Sequence, residues 1–345
     1  MKKYNMSTNL IQVIKNLYRK ATNAVLFNSS IRDWFRTTAG VRQGCLLSPT
    51  LLNIFLERIM TNGLEDHEGT VSIEGRTITN LRFADDIDWL AGEEELANLV
   101  ELLDKASTAY GMEISAKRTK LMTNDTSGIN TEIKVNGQKF ETVTSFKYPG
   151  SVITEEGFKP EILSRIAQTT AALKRLKPVW IDNSISLSSK IRLVRSLVTS
   201  IFLYVYESWT LTAELKRRIQ AMEMRCYRKI LHISYKDHVT NEQVRAKIQQ
   251  AIGPIGPHED LLTIVKRRKL QWYGHVSLSS GLAKTILQGT VKGRRRQGRQ
   301  RNKWKDNIRE WTGLEFDKSQ RAVENRKNGE NWLQNHLGCP NDPYG

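Results

Sequence analysis

Cysteine is scarce: Cys45, Cys226 and Cys339 are the only three among 345 residues, and they are widely separated. They make no disulfide framework, which points to a reducing compartment. No CxxC or HxxxH spacing accompanies Cys226, His232 and His238, so these read as core or surface residues rather than zinc ligands. Long apolar runs are missing too. No stretch approaches the ~18 apolar residues that span a bilayer, and no signal peptide opens the chain. The expectation is an intracellular protein, nuclear or cytoplasmic, with no membrane partner. What the second half lacks is acid. Residues 1–160 carry 19 Lys and Arg against 20 Asp and Glu, whereas residues 161–345 carry 34 against 16. All of the net charge of +17 therefore sits in the second half, which implies a polyanionic partner there, nucleic acid above all. A hydrophobic content of 39% is ordinary for a folded chain, and this length can hold two or three domains.

Hydrophobic periodicity divides the chain into a mixed part and a helical part. Leu10, Val13, Ile14, Leu17 and Tyr18 share one face of a helix over residues 8–20. Ala24–Phe27 and Trp34–Thr37 read as short strands joined through Asn28-Ser29-Ser30. The stretch Gly40-Val41-Arg42-Gln43-Gly44-Cys45-Leu46-Leu47-Ser48-Pro49 follows, with Ser48 as N-cap and Pro49 in the first turn of a helix through Met60. Glu94–Tyr110 is a helix ended by Gly111. Lys117–Met122 reads as a basic turn entering a strand, Asn136-Gly137 marks a hairpin, and Ser145–Ile153 is a strand broken at Pro149-Gly150. From Pro160 the pattern is helical: Glu161–Lys177, Ser188–Tyr206, Thr212–Leu231 and Val239–Ile252. Gly253-Pro254-Ile255-Gly256-Pro257 marks a boundary, and a short helix over Leu261–Trp272 lies beyond it. In residues 292–305, eight of 14 are basic and none is acidic, so the run is expected to be disordered or laid along phosphates. Trp272, Tyr273, Trp304 and Trp311 suit either base stacking or the anchoring of a small helical module.

The chemistry centres on Leu81-Arg82-Phe83-Ala84-Asp85-Asp86-Ile87-Asp88-Trp89-Leu90. Two acids interrupt alternating strand-forming residues, so a strand, a tight turn and a strand would hold carboxylates rigidly at a tip, where a divalent metal can be gripped. Taken alone, the stretch fits an Asp-rich turn as well. Order and spacing decide between the two. The Gly-Val-Arg-Gln-Gly-Cys-x-Leu-Ser-Pro helix start, Phe-Ala-Asp-Asp, Tyr110-Gly111-Met112-Glu113-Ile114, Lys117–Lys120 and Phe146-Lys147-Tyr148-Pro149-Gly150-Ser151 follow one another in register. This series resembles the reverse transcriptases of non-LTR (LINE-type) retrotransposons. Residues 267–276 and the Gly-Arg-rich tail resemble the C-terminal region of such elements.

The resemblance implies an α+β fold: a partial reverse-transcriptase palm over 1–158, a helical thumb over 159–252 and a basic nucleic-acid-binding region over 253–345. It implies RNA-directed DNA polymerase chemistry, in which a primer 3′-hydroxyl attacks the α-phosphate of a dNTP on an RNA template with two Mg²⁺ ions. Asp85 would be the principal metal ligand and Asp86 its less direct neighbour, with Asp88 on the other face or beyond the turn as a polar surface residue. Phe83, Gln43 and Gly44 would approach the template–dNTP pair, with Arg42 in support. Lys117 or Lys120 would help to protonate pyrophosphate, because Arg118 stands where the family usually has Lys and gives up a proton poorly. Tyr148 and Gly150 would form the primer grip, where Pro149 replaces a common Leu. Arg294, Arg295, Arg296, Arg299, Arg301 and Lys303 would contact nucleic acid. The third metal-binding aspartate of the family lies in a strand upstream of the first helix, and residues 1–39 hold one acid, Asp33, without the flanking pattern. The expectation is a truncated polymerase that is inactive alone. The alternative is a non-catalytic, nucleic-acid-binding relic of the same kind of element.

Overall fold

The computed structural model describes residues 1–19, 21–64, 67, 69, 71–123, 132–135, 137–148, 150–155, 157–253, 259–290 and 302–324. It is α+β, and among the described residues its strands pair two at a time. Two compact units divide the chain: Met1–Ser72 with Thr77–Thr119 and Asn130–Glu141, and Ile73–Arg76 with Lys120–Ile129 and Thr142–Gly345.

In the first unit, α1 (Thr8–Arg19) leads into β1 (Thr22–Asn23), β2 (Leu26–Phe27), β3 (Ser30–Ile31) and β4 (Phe35–Arg36). β2 and β3 form a hairpin around Asn28 and Ser29, both left-handed (φ +49° and +61°), as a two-residue turn of this twist requires. The returning strand thus begins at Ser30, earlier than the expected Trp34, and β4 closes back on β1. α2 (Ser48–Leu64) runs four residues past the expected Met60. Its first helical bond goes from the Leu51 N–H to the Leu47 carbonyl, so Leu47 occupies the cap expected of Ser48. β5 (Ser72–Ile73), β6 (Arg76–Thr77), β7 (Asn80–Phe83) and β8 (Asp86–Trp89) precede α3 (Glu93–Ala109). Gly111, left-handed at φ +72°, ends α3 as expected. α2 and α3 pack around Ile59, Met60 and Leu103, and a Cβ at Gly63 would lie 3.3 Å from that of Ala106. After the basic turn the chain passes into the second unit with β9 (Lys120–Leu121), and back in the first β10 (Lys134–Val135) pairs with β11 (Gln138–Lys139) around left-handed Gly137, as expected. β12 (Glu141–Thr142) comes next.

The second unit contains one four-residue hairpin and a large helical core. β13 (Ser145–Tyr148) and β14 (Ser151–Thr154) are two antiparallel strands where a single broken strand was expected. α4 (Lys159–Arg175), α5 (Lys177–Ile181), α6 (Leu187–Leu193), α7 (Thr199–Phe202), α8 (Ala213–Ile230) and α9 (Asn241–Ile252) follow. The expected helix over 188–206 is therefore interrupted. Its turns at Val194–Val198 are π-helical, and Val205 takes a left-handed backbone (φ +59°) that a continuing helix cannot hold. Trp180, Phe202, Trp209, Ile219 and Val244 are fully buried in one core, which Leu261, Leu262 and Val265 of α10 (Leu261–Leu278) join. α10 extends six residues beyond Trp272. With α11 (Leu282–Gln288), α12 (Trp304–Thr312) and α13 (Phe316–Glu324) it closes a second cluster on Leu270, Tyr273, Ile308 and Val323. Trp272, Trp304 and Trp311 pack against that cluster and Tyr273 is fully buried, so these aromatics anchor the module, the second of the two roles weighed above.

Lys269 lies fully buried inside this packing, its ammonium donating to the Trp209 carbonyl and to Asn307 Oδ1 (3.3 Å) beneath the rings of Trp304 and Trp311. Asn307 in turn exchanges hydrogen bonds with the backbone of Leu211 (2.7 and 2.9 Å). Burial, with added repulsion from Lys216, pushes the Lys269 pKa down to about 7. Between pH ~7 and the ordinary lysine value the unfolded chain binds a proton that the folded chain does not, so this group's contribution to stability rises with pH across that window and is lost as pH falls through 7. Denaturant titrations of the wild type and Lys269→Met at pH 6, 7.5, 9 and 10 should show the wild type gaining relative to the variant above pH 7. A pH-independent difference would contradict the buried neutral amine.

Candidate functional site

The carboxylates sit on a hairpin fixed from behind. β7 and β8 pair in the register Asn80↔Trp89, Leu81↔Asp88, Arg82↔Ile87 and Phe83↔Asp86, which leaves Ala84 and Asp85 as the two-residue turn. Ala84 is left-handed (φ +53°), a conformation costing a residue with a Cβ roughly 1–2 kcal/mol. Ile87 and Trp89, alternating along β8, pack on the Ile59–Met60–Leu103 cluster. The opposite face carries Phe83 and Asp86 side by side at its exposed end, with Phe83 62% exposed. Asp88, two residues on, shares the face of Asp86 and does not oppose it. Asp85 and Asp86 are both exposed and make no hydrogen bond or ion pair among the described residues. Arg82 braces the same strand: it pairs with Glu57 of α2 (2.6 Å) and donates to Asn80 Oδ1 (2.7 Å).

Gly40 and Gly44, both left-handed at φ +85° and +81°, bend the loop before α2. Arg42 has a definite task there. Its guanidinium donates to the Leu17 carbonyl (3.0 Å) at the C-terminal end of α1 and lies 5.7 Å from the Tyr18 ring centre, while Arg36 donates to the Arg19 carbonyl (3.0 Å). Two cations thus satisfy carbonyls that the helix cannot and meet the negative end of its dipole. The Ser48 hydroxyl donates to the Arg42 carbonyl and so holds the loop to the start of α2. Arg42 is therefore engaged with its own helix, whereas Gln43 and Gly44 are exposed. Lys117 stands exposed on a turn whose Ser115 carbonyl accepts from the N–H groups of Arg118 and Thr119 (2.9 Å each). Lys120 begins β9 and is half-buried.

In the second unit Tyr148 and Gly150 flank the β13–β14 turn, with Tyr148 paired to Ser151. Gly150 is left-handed (φ +83°), and a Cβ there would come within 3.3 Å of the Tyr204 hydroxyl. Its carbonyl accepts from the Arg165 guanidinium, which also stacks 4.5 Å from the Tyr204 ring centre and donates through Nε to Glu161 Oε1 (2.6 Å). The second Glu161 oxygen accepts the Val152 N–H (2.7 Å). Glu161 and Arg165 are 1% and 6% exposed, so a buried ion pair of α4 clasps both sides of the hairpin turn. The sequence showed the i,i+4 acid–base spacing on α4 but not its destination, and Tyr204 carried no signal. Pro149, Arg294, Arg295, Arg296, Arg299 and Arg301 lie outside the described residues. Lys303 is exposed and precedes α12.

Two-metal chemistry needs several carboxylates converging on a point a few Å across. Among the described residues no group of three or more His, Cys, Asp or Glu side chains is placed to hold a metal ion. Asp85 and Asp86 are hard oxygen donors suited to Mg²⁺, but two adjacent carboxylates on one ribbon do not complete such a site. Among the described residues no helix is long and apolar enough to cross a membrane.

Residues 1–153 match the family described as reverse transcriptase (RNA-dependent DNA polymerase). A transposon-derived protein of Caenorhabditis elegans is 29% identical over 246 residues, a span of 69% of this chain and 86% of the relative.

Two substitutions test the local physics. Ala84→Gly should stabilise the fold by roughly 0.5–1 kcal/mol, net of the added unfolded-state entropy, in denaturant titration. Arg165→Met leaves Glu161 buried without its counter-charge and should cost about 3–5 kcal/mol by the same measurement. A cost below ~1 kcal/mol would show that the clasp is solvated.

Proposed function

We propose that this chain is a reverse-transcriptase-derived protein of a non-LTR retrotransposon, an RNA-directed DNA polymerase by descent that does not polymerise by itself. The observation that carries this reading is the Phe83-Ala84-Asp85-Asp86 hairpin, which presents two unpaired carboxylates at an exposed tip inside the segment that matches the reverse transcriptase family. Asp85 and Asp86 would be the chain's contribution to metal binding. Gln43, Gly44 and Phe83, all exposed, would meet template and dNTP. Arg42 would serve by fixing the loop that carries Gln43, through its bond to α1. Tyr148 and Gly150 would present the primer grip, held by Glu161, Arg165 and Tyr204. Lys117 stands free to donate a proton to a leaving group, and Arg118 beside it would not.

What supports inactivity of the isolated chain is the donor set, which among the described residues stops at two carboxylates, and two hold a divalent pair weakly. A second reading, a nucleic-acid-binding protein that makes no use of Asp85, draws on the excess of 34 basic over 16 acidic residues after position 160. Primer extension on poly(rA)·oligo(dT) with Mg²⁺ or Mn²⁺ tests both. The expected outcome is no incorporation by the purified chain and salt-dependent binding that Asp85→Ala leaves unchanged. Incorporation that Asp85→Ala abolishes would establish a working polymerase and overturn the claim of inactivity.

A further inference from the structure

α8, α9 and the segment between them line an open groove of about 730 Å³. Arg217, Arg225, Arg228 and Lys229 reach it from α8 and Arg245 from α9, over an apolar floor that includes Met224 and Ile233, and no carboxylate lines it. Like charges gathered in one groove repel each other unless something anionic is present. Two of the five have internal partners: Arg228 donates to the Val239 carbonyl and Asn241 Oδ1 (2.9 Å each), and Arg245 pairs with Asp260 (3.3 Å). Arg217, Arg225 and Lys229 are exposed and make no ion pair among the described residues. Other cations of this region are neutralised: Arg218 pairs with Glu214 (2.9 Å), Lys159 of α4 with the same Glu214 (3.2 Å), and Lys216 with Glu310. α8 thus finds acids for some of its cations and leaves Arg217, Arg225 and Lys229 without one among the described residues.

Tyr235 stands two residues beyond Ile233 and is 83% exposed. The turn that carries it is held by Ser234 and Asp237, whose backbone and side chains cap each other, so the ring is presented on a fixed support. We propose that this groove binds single-stranded nucleic acid, with phosphates on Arg217, Arg225 and Lys229 and an unpaired base stacked on Tyr235. From Arg217 to Lys229 the helix rises about 18 Å, enough to follow several phosphates of one strand. Bases stacked within a duplex offer no free face to an isolated ring, whereas a single strand does. The site shares with the polymerase reading only the class of its partner. It uses none of the residues assigned to nucleotidyl transfer, and a failure of primer extension does not bear on it.

Fluorescence anisotropy of the full chain with a labelled 20-nucleotide single-stranded DNA, over a NaCl series, tests the proposal. The triple variant Arg217→Ala/Arg225→Ala/Lys229→Ala should bind at least about tenfold more weakly at low salt, and the slope of log affinity against log salt should shrink by about 2, at ~0.7 per lost single-strand phosphate contact. A matched variant of cations that already hold an acidic partner, Lys159→Ala/Lys216→Ala/Arg218→Ala, removes the same formal charge and should leave the slope unchanged. Tyr235→Ala should weaken single-strand binding several-fold and leave the slope and duplex affinity unaltered. Equal losses in the two triple variants would reduce the effect to net charge and overturn the site. So would an unchanged slope in the groove variant. Equal or tighter binding of a hexa-glutamate peptide, lost in the groove variant, would assign the groove to an acidic protein segment instead.

Discussion

A charge taken out of water must find a partner where it lands, and this requirement sets the geometry of the helical unit. Glu161, Arg165, Lys190, Glu223 and Lys269 are all buried there, and each is bound to backbone. Lys190 and His232 converge on the Trp180 carbonyl, and Glu223 accepts the Leu261 N–H at the start of α10. Desolvation pushes the Glu223 pKa up to about 7 and the Lys269 pKa down to about 7, both toward the neutral form. Apolar contacts supply most of the cohesion, but they tolerate sliding. Hydrogen bonds from buried charges to particular carbonyls and N–H groups do not, since a displaced partner leaves an unsatisfied charge in a dry interior. The β13–β14 turn, the segment after Trp209 and the first turn of α10 are located by such bonds.

The carboxylate hairpin is held by other means. Ile87 and Trp89 bury one face of a ribbon only four residues long per strand, and Arg82 braces it to α2. The other face is left to Phe83 and the acids. Such an anchor fixes the tip without covering it and leaves both carboxylates open to solvent. The left-handed Ala84 fits the same interpretation: a strained turn persists where surrounding packing over-determines it, and strain of this kind clusters at functional sites.

Catalysis and binding make different demands, and the chain meets them unequally. Two-metal nucleotidyl transfer needs a closed set of donors, and among the described residues that set is not assembled. Binding a polyanion needs only unpaired cations at suitable spacing, and the groove between α8 and α9 supplies them.

Much of this was legible in the residues alone. The hairpin at Gly137 and the Phe-Ala-Asp-Asp turn, α3 with its Gly111 stop, and α8 and α9 follow from periods and turn residues that act over a few positions, and each formed as expected. The concentration of positive charge after residue 160 is likewise a property of the sequence. The rest depended on partners distant along the chain. Nothing local announces that Arg42 caps the helix before it, that Tyr204 covers Gly150, that Trp209 receives Lys269, or that some cations of α8 find acids while others line a groove without one. Periodicity tells which face of a helix is apolar. Which carbonyl a buried charge finds, and which surface charges find no acid, is decided only when elements far apart in sequence are packed together.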